Sequence, residues 1–576
     1  MSNISKFLNE ILSARYGKDV RQSIHDAIQE IDSVADTAQN SASSMAQEAT
    51  AKAELAADSA TLAQSYAKGG TGVRTEENTD NAKYYYEQTK NANVQQLISK
   101  IDANTTAISN ANANISKNTA SIKKNTDAIT EIEAMLGYSA DTIVGLQVDY
   151  KNKSFKRLAG AIGLNQGADF DVYTMFGGRK RCNVADDGSI TAWYGDVAYK
   201  EDGSNGQVMV YQPKFYYKVC PLEVEPIDTG IGYHLRKANY YVSELPHDGF
   251  KLHPAFYDAS GKEIDYYLDS AFEGSIYDTS ASAYLMSDEQ VMNTEEDKFC
   301  SIAGVKPASG LSQSLTRSNV ETLAQNRGTE WHGDLIKFAS ARQLLMIIEL
   351  GRMNTQTGLG SGITTIADDS SYNCSSLTGS TSALGNTSGK ATQTINTKGD
   401  TQTTETANEK VAVSWRGTEN PWGNIWKFVY GINIWGNNEM NGGQPYICND
   451  FNFTESKNSD NYEATGFTIT NASGYISAMG YSEKYDWLFI ASECTGNSSL
   501  PVGDYHYVTS NLNGYRVALL GGSWSNGGIA GGFYWNLAYG VGNRGRSIGG
   551  RLVLIPTKGS AVYKATIKAW KQKMTA

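Results

Sequence analysis

The stretch from Gly514 to Pro556 offers contact chemistry rather than bond-making chemistry. It opens on Gly514-Tyr515-Arg516-Val517-Ala518-Leu519-Leu520-Gly521-Gly522-Ser523-Trp524 and continues mostly in Gly, Ser, Asn, Tyr and Trp. It closes on Ile548-Gly549-Gly550-Arg551-Leu552-Val553-Leu554-Ile555-Pro556. Tyr and Trp supply large, stiff contact area, while Ser, Gly and Asn supply adaptable hydrogen bonding. Apolar, strand-like segments bracket the run. The pattern predicts a binding face held on a rigid frame.

Reactive chemistry has weaker footing. Six histidines (His25, His234, His247, His253, His332, His506) show no metal-ligand spacing. Six cysteines (Cys182, Cys220, Cys300, Cys374, Cys448, Cys494) lie far apart with no Cys-x-x-Cys pair, so they read as reduced core residues. Glu295-Glu296-Asp297 has the composition of a glycosidase acid pair, but acidic loop residues are more often simply solvated. Gly358-Leu359-Gly360-Ser361-Gly362 lacks the Gly-Lys-Ser/Thr of a phosphate loop. The expectation is no enzyme, no metal and no cofactor.

Those residues sit in a chain of 576 residues, too long for one core, with a net charge of −11. A basic footprint for nucleic acid is missing. The longest apolar runs, such as Leu344-Leu345-Met346-Ile347-Ile348, fall short of the roughly 20 residues of a membrane span. Met1-Ser2-Asn3-Ile4-Ser5-Lys6-Phe7 lacks a signal peptide's apolar core, so synthesis in a cytoplasm is expected. Near Gly137 the composition shifts from Ala, Ser, Asn, Thr and Lys to Gly, Tyr, Trp and Phe. A helical stalk is expected before that point and a globular part after it.

Within the stalk, residues 20–68 carry an Ala-rich heptad and Gly69-Gly70 ends the helix. A loop over 69–78 leads to Thr79-Asp80 as the cap of a second helix, 79–137. There Ile101, Ile108, Ile115, Ile122, Ile129 and Leu136 stand seven apart, and Leu97, Asn104, Ala111, Asn118, Asn125 and Ile132 form the companion track. Such a narrow, regular stripe serves helices that supercoil around each other. At 1.5 Å per residue, residues 97–136 would span roughly 60 Å.

The phrase Ile-x-x-Asn-Thr at Ile101/Asn104/Thr105, Ile115/Asn118/Thr119 and Ile122/Asn125/Thr126 resembles the trimeric stalks of phage fibres and trimeric adhesins. The resemblance implies a homotrimer with Asn104, Asn118 and Asn125 turned to the axis. Ala14-Arg15-Tyr16-Gly17-Lys18-Asp19-Val20-Arg21, then Ile24 and Asp26-Ala27-Ile28, looks like the N-terminal segment of baseplate and fibre proteins from tailed phages of Gram-positive hosts. That implies docking on baseplate or tail proteins through residues 1–30.

In the globular part, turn signals such as Asp186-Asp187-Gly188-Ser189 mark a small β-rich connector over 138–206. Strands are expected from Gln207 onward, and Asp334 is expected to cap a helix from Leu335 to about Leu350. Ile336, Phe338, Leu344, Leu345 and Ile348 would form its buried stripe. Ser370–Asn408, rich in Ser, Thr, Gly and Asn, reads as a long polar insertion, exposed or shielded only by trimer neighbours, and 558–576 as a tail.

Three landmarks then occur in order: Ala339-Ser340-Ala341-Arg342-Gln343-Leu344-Leu345; Trp415-Arg416-Gly417 with Asn420-Pro421-Trp422-Gly423-Asn424-Ile425-Trp426; and Leu520-Gly521-Gly522-Ser523-Trp524 with the closing Ile548–Val553. The series is similar to the formylglycine-generating-enzyme branch of the C-type lectin fold, over roughly Gln207–Pro556. Cys448 and Cys494 do not sit in that branch's terminal Arg-Cys setting, so its copper-dependent oxidation is not carried over. Glu419-Asn420-Pro421 has the composition of a lectin calcium segment in a different order, so calcium is not carried over either.

The segment Ser523–Ser547, directly before the closing strand, resembles the variable segment of phage tropism-determining proteins that are diversified by retroelements. The resemblance implies receptor contacts at Ser525, Asn526, Gly528, Ile529, Tyr534, Asn536, Tyr539, Val541, Asn543, Gly545 and Ser547. It implies a frame of Trp524, Gly531-Gly532-Phe533, Trp535, Leu537 and Arg551. The expectation is a homotrimeric phage tail fibre or baseplate protein that attaches the virion to a glycan or protein of the bacterial surface. A coiled-coil stalk would precede an α+β C-type lectin domain over 207–557. The alternative is a tailspike-type depolymerase with a carboxylate pair in a groove.

Overall fold

The computed structural model describes residues 18–88, 94–136, 142–310, 314–368, 372–391, 394–398, 401–437, 442–454 and 461–575. Residues 1–17 of the expected attachment segment lie outside these. The chain divides into two compact units, one holding His25–Ser139 and the other Ala140–Ala576.

The first unit is helical. Helix α1 (Lys18–Lys68) contains neither Gly nor Pro and stops at Gly69, whose N–H donates to the Ser65 carbonyl at 3.0 Å. Gly69 has φ 70°, and a Cβ there would meet Asn81 and Glu77 at under 3 Å, so both backbone and space require glycine. The turn beyond is stapled. The Glu77 carboxylate accepts from Ser65 Oγ (2.5 Å), Thr71 Oγ1 (2.6 Å) and the Gly72 N–H, and these bonds hold its pKa down to about 2.

Helices α2 (Ala82–Gln88) and α3 (Val94–Leu136) follow. The expected cap at Thr79-Asp80 is corrected: Asn81 Oδ1 accepts from the Tyr84 N–H at 2.8 Å. Asp80 is engaged by Arg74 (3.2 Å) and the Tyr85 hydroxyl (3.0 Å), which leaves the capping role to its neighbour. Along α3, Ile101, Ile108 and Ile115 are half-buried and Asn104 and Asn118 exposed. The side chains of Ile122, Asn125 and Ile129 lie outside the described residues. No residue from 98 to 118 is buried within one chain.

The second unit mixes sheets and helices. One antiparallel sheet runs Trp331–Gly333, Leu552–Leu554, Tyr266–Ser270, Gln207–Pro213, Lys180–Val184, Ile190–Trp193. Another takes Ser154–Ala159 and Ile143–Asp149 onto the long strand Tyr233–Ser243. The third runs Tyr462–Ala464, Gln444–Cys448, Trp426–Asn437, Asn513–Leu520, Trp535-Asn536, Tyr505–Tyr507, Gly474-Tyr475.

This topology corrects the expected connector. Residues 143–193 supply strands to the same sheets as residues 207–243, so 138–206 is not a separate module. The connector's turn signals were real, but turns do not reveal which strands pair. The expected tail is corrected too. Helix α5 (Ala561–Thr575) packs Trp570 flat on Tyr211, with centroids 5.1 Å apart, and Trp570 Nε1 donates to the Gly178 carbonyl at 3.0 Å.

Helix α4 (Ile336–Leu350) lies at the centre. Every residue but Lys337 is buried, and it packs on Ile143–Asp149, Tyr233–Ser243 and Trp426–Asn437. Its five predicted apolar positions are all buried, but the surround is complete rather than a stripe, as for a helix enclosed on all sides. Asp334 does not cap it. That carboxylate takes the Leu335 N–H (2.9 Å) and pairs with Arg342 about two turns into the helix, because a buried guanidinium needs a counter-charge more than a helix start needs an acceptor. At the far end, Arg157 donates to the carbonyls of Ile348 and Glu349 at 2.6 Å each, a cation at the negative pole.

The expected exposed insertion is also corrected. Asn373, Cys374, Ser375, Ser376, Thr378 and Thr381 are buried. The Ser376 N–H donates to Asn424 Oδ1 (2.7 Å), and Glu419 accepts from the N–H groups of Gly379 (2.8 Å) and Thr381 (2.7 Å). Polar composition permits burial when groups such as these find partners.

Candidate functional site

The frame of the candidate face is set by sheet register. Asn513–Leu520 pairs with Trp426–Asn437 on one side and Trp535-Asn536 on the other, while Ile548-Gly549 runs parallel to Trp426-Lys427. The segment 523–547 therefore leaves and re-enters one sheet. Trp524 (1% exposed), Phe533 (0%), Trp535 (0%) and Arg551 (2%) are buried, as a frame requires, and so is Leu537. Arg551 donates to the carbonyls of Glu419 and Asn420, tying the closing strand to the landmark Asn420-Pro421-Trp422.

The turn Gly527–Phe533 is gripped from behind by side chains that bond only its backbone. Gln356 Nε2 donates to the carbonyls of Gly527 (3.0 Å) and Ala530 (2.7 Å). Gln343 Nε2 donates to the Gly532 carbonyl (2.8 Å), and Thr355 Oγ1 accepts from the Gly532 N–H (2.9 Å). Asp504 Oδ2 accepts from the Phe533 N–H (2.8 Å). Each of these bonds ends on a backbone atom of the turn.

Glycines divide along the same line. A Cβ added at Gly528, Gly540 or Gly542 meets nothing within 4 Å, whereas one at Gly531 lies 2.1 Å from the Asp504 carboxyl carbon. Gly528→Ser is expected to change stability by less than about 0.5 kcal/mol, while Gly531→Ala must displace the Asp504 carboxyl. Paired thermal melts of the two variants check this: equal losses would contradict the division.

The predicted contact residues separate likewise. Ser525 and Gly528 are exposed, and Ile529, Tyr539, Val541, Asn543, Gly545 and Ser547 are half-buried. The expected exposure of Tyr534 and Asn536 is corrected: each is 4% exposed. Tyr534 packs on Trp426 at 4.6 Å, and Asn536 Oδ1 accepts from the Ala538 N–H at 3.0 Å to close a turn. Asn526 is half-buried and its Oδ1 accepts from the Ser523 N–H (2.7 Å), so its oxygen shapes the loop.

Sequence reading missed Tyr475, Tyr505 and Tyr507. Two of the rings run on from Tyr534: Tyr505 meets Tyr534 at 6.0 Å and Tyr475 meets Tyr505 at 5.3 Å, both edge to face. Burial, then the neighbouring phenols of Tyr505, Tyr539, Tyr507 and Tyr475, pushes the Tyr534 hydroxyl pKa up. Tyr507 is 43% exposed. The alternation Tyr505-His506-Tyr507 was the available signal, since period two places both tyrosines on one face.

Asp504 makes the grip pH-sensitive. Its carboxyl is fully buried, Oδ1 has no partner, and burial holds its pKa well above the usual carboxylate range. A raised acid pKa contributes stability below the unfolded value of about 3.9 and loses it as pH rises through the folded value. Asp504→Asn is therefore expected to remove part of the loss of melting temperature between acid and neutral pH. An unchanged pH slope in that variant would contradict the assignment.

Among the described residues, no group of three His, Cys, Asp or Glu side chains is arranged to hold a metal ion, and no helix is long and apolar enough to cross a membrane. The six cysteines are free thiols. No family model and no curated protein matches the chain. Solved structures similar to it include two variants of one protein. The Major Tropism Determinant P3c Variant matches at 10% identity and TM-score 0.22, over 65% of this chain and 71% of that one. The Major Tropism Determinant M1 Variant matches at 11% and 0.23, over 66% and 73%.

Proposed function

We propose that the chain is a phage receptor-binding protein that attaches the virion to the bacterial surface without bond chemistry. Residues 523–547 of a lectin-like unit would be the replaceable contact face. The observation that carries this reading is the backbone-only grip of Gln343, Thr355, Gln356 and Asp504 on Gly527–Phe533. A face held that way keeps its shape while its outward side chains change.

The heptad of α3 supports a homotrimer, and trimerisation multiplies weak sites by avidity. Residues 1–30 would dock on baseplate or tail proteins. The virion is the proposed location.

The test is a library randomised at Ser525, Gly528, Gly540, Gly542 and Asn543, scored for folding by thermal melt and for adsorption to bacterial cells. Expected are members that fold like the parent yet differ in the cells they bind. If every folded member adsorbed identically, the face would lie elsewhere. Loss of polymer viscosity on incubation with capsular polysaccharide would favour a depolymerase instead.

A further inference from the structure

The aromatic strip beside the loop face has a feature of its own. The segments that build it, 470–480, 505–515 and 530–543, contain no Asp, Glu, Lys or Arg, in a chain that is 19% charged. Asp504, just before the second segment, is buried, and Arg516, just after it, alternates to the face opposite Tyr515. His506 is buried between Tyr505 and Tyr507, and burial drives its pKa down to about 3, so it is neutral. What the strip does offer is phenol rings at Tyr475, Tyr505 and Tyr507, with the hydroxyl or amide groups of Ser473, Thr509, Ser510 and Asn511 on the same segments.

The register brings these rings together. Tyr475 is paired directly with Tyr505, and Tyr507 stands two residues further along the same strand. Partially exposed tyrosines with no counter-charges suit a ligand that has apolar C–H faces and hydroxyl edges and no net charge. A pyranose ring has both. Complementary charge steers and orients a protein partner, and these segments supply none.

We propose that Tyr475, Tyr505 and Tyr507 form a saccharide subsite that takes an uncharged glycan of the bacterial surface, next to the replaceable loop. The inference rests on the attachment reading and names the ligand class for one edge of that face. The loop then tunes which neighbouring structure is accepted, while the tyrosines supply a constant sugar-stacking floor.

The experiment applies the full-length chain to an array of neutral and acidic bacterial oligosaccharides. Binding is measured for the parent, Tyr507→Ala, Tyr507→Phe and Tyr475→Ala. Neutral members are expected to be captured, with affinity unchanged between about 0.05 M and about 0.5 M salt. Tyr507→Ala should weaken capture by about tenfold or more, the scale of losing one central aromatic contact. Tyr507→Phe, which keeps the ring, should retain more affinity than Tyr507→Ala. Because Tyr507 is 43% exposed, its truncation leaves the core intact even if Tyr475→Ala fails to fold.

Capture of acidic members only, capture of none, or neutral capture indifferent to Tyr507→Ala would each overturn the inference. So would a change of oligomeric mass in Tyr507→Ala, which would mean that a second copy covers the strip. The parallel arm is adsorption to bacterial cells before and after periodate oxidation or protease treatment. Adsorption that survives periodate but not protease leaves attachment standing and defeats the saccharide. No adsorption to any cells defeats the attachment reading itself.

Discussion

Arg342→Ala is expected to cost about 3–5 kcal/mol, the scale of breaking one partner out of a buried ion pair. Arg342 bonds Asp269 at 2.9 Å and also pairs with Asp334; Asp269 is 0% and Asp334 1% exposed at the side chain. Removing the guanidinium leaves two carboxylates in the interior, with Arg179 at 3.5 Å from Asp269 as the nearest compensation. These groups join α4 to the strand Tyr266–Ser270, so the loss falls on the centre of the fold.

The melting temperature should drop by about 3–5 °C for that energy in a unit of this size. The deficit should shrink at acid pH. Burial already raises the Asp334 carboxyl and Arg342 holds it down, so without Arg342 its folded value rises further and stability is lost as pH rises through it. The double variant Arg342→Met, Asp334→Asn, which leaves Asp269 to Arg179, should recover part of the loss, since removing both members of a buried pair is milder than orphaning one. A single variant that melts within a degree or two of the parent would show that the set does not hold the unit together.

Ile108→Asp with Ile115→Asp is expected to reduce the particle from three chains to one. Light scattering should report about three times 62.6 kDa for the parent and 62.6 kDa for the variant. The physical reason is on the helix surface: from residue 98 to 118 a single chain buries nothing, yet Ile101, Ile108 and Ile115 recur at seven-residue spacing. An unpaired helix of that kind lacks the packing that stabilises most protein helices. Adsorption to cells should fall by about 10²- to 10⁴-fold as avidity is lost, while the melt of the Ala140–Ala576 unit stays in place. A parent that already runs at 62.6 kDa would refute the trimer outright.

The two variants separate two kinds of legibility. The heptad isoleucines were readable because helix periodicity is local: spacing alone places Ile101, Ile108 and Ile115 on one track. The termini of α1 and the buried positions Ile336, Phe338, Leu344, Leu345 and Ile348 were readable for the same reason. The Arg342–Asp269–Asp334 set was not. Its members come from a helix, the residue before that helix, and a strand more than sixty positions earlier, and no pattern in the chain links them. The candidate site shows the same split. Composition marked 523–547 and its flanking strands, but Tyr534 and Asn536 carry residue types that suit exposed contact and are buried, because burial depends on what lies across the sheet.

The sequence by itself determined the change of character near Gly137, the seven-residue stripe of α3, and the burial of Trp524, Phe533 and Trp535. Each is a matter of local period or of residue types too bulky and apolar to leave in water. Tertiary structure alone decided that residues 143–193 join the later sheets, that Asn373–Thr378 of the Ser/Thr-rich segment are buried, and that Tyr505 meets Tyr534 on one side and Tyr475 on the other. Strand pairing and polar satisfaction are long-range: a serine or a tyrosine acquires its role from a partner that may stand hundreds of residues away, and only the folded chain brings that partner within reach.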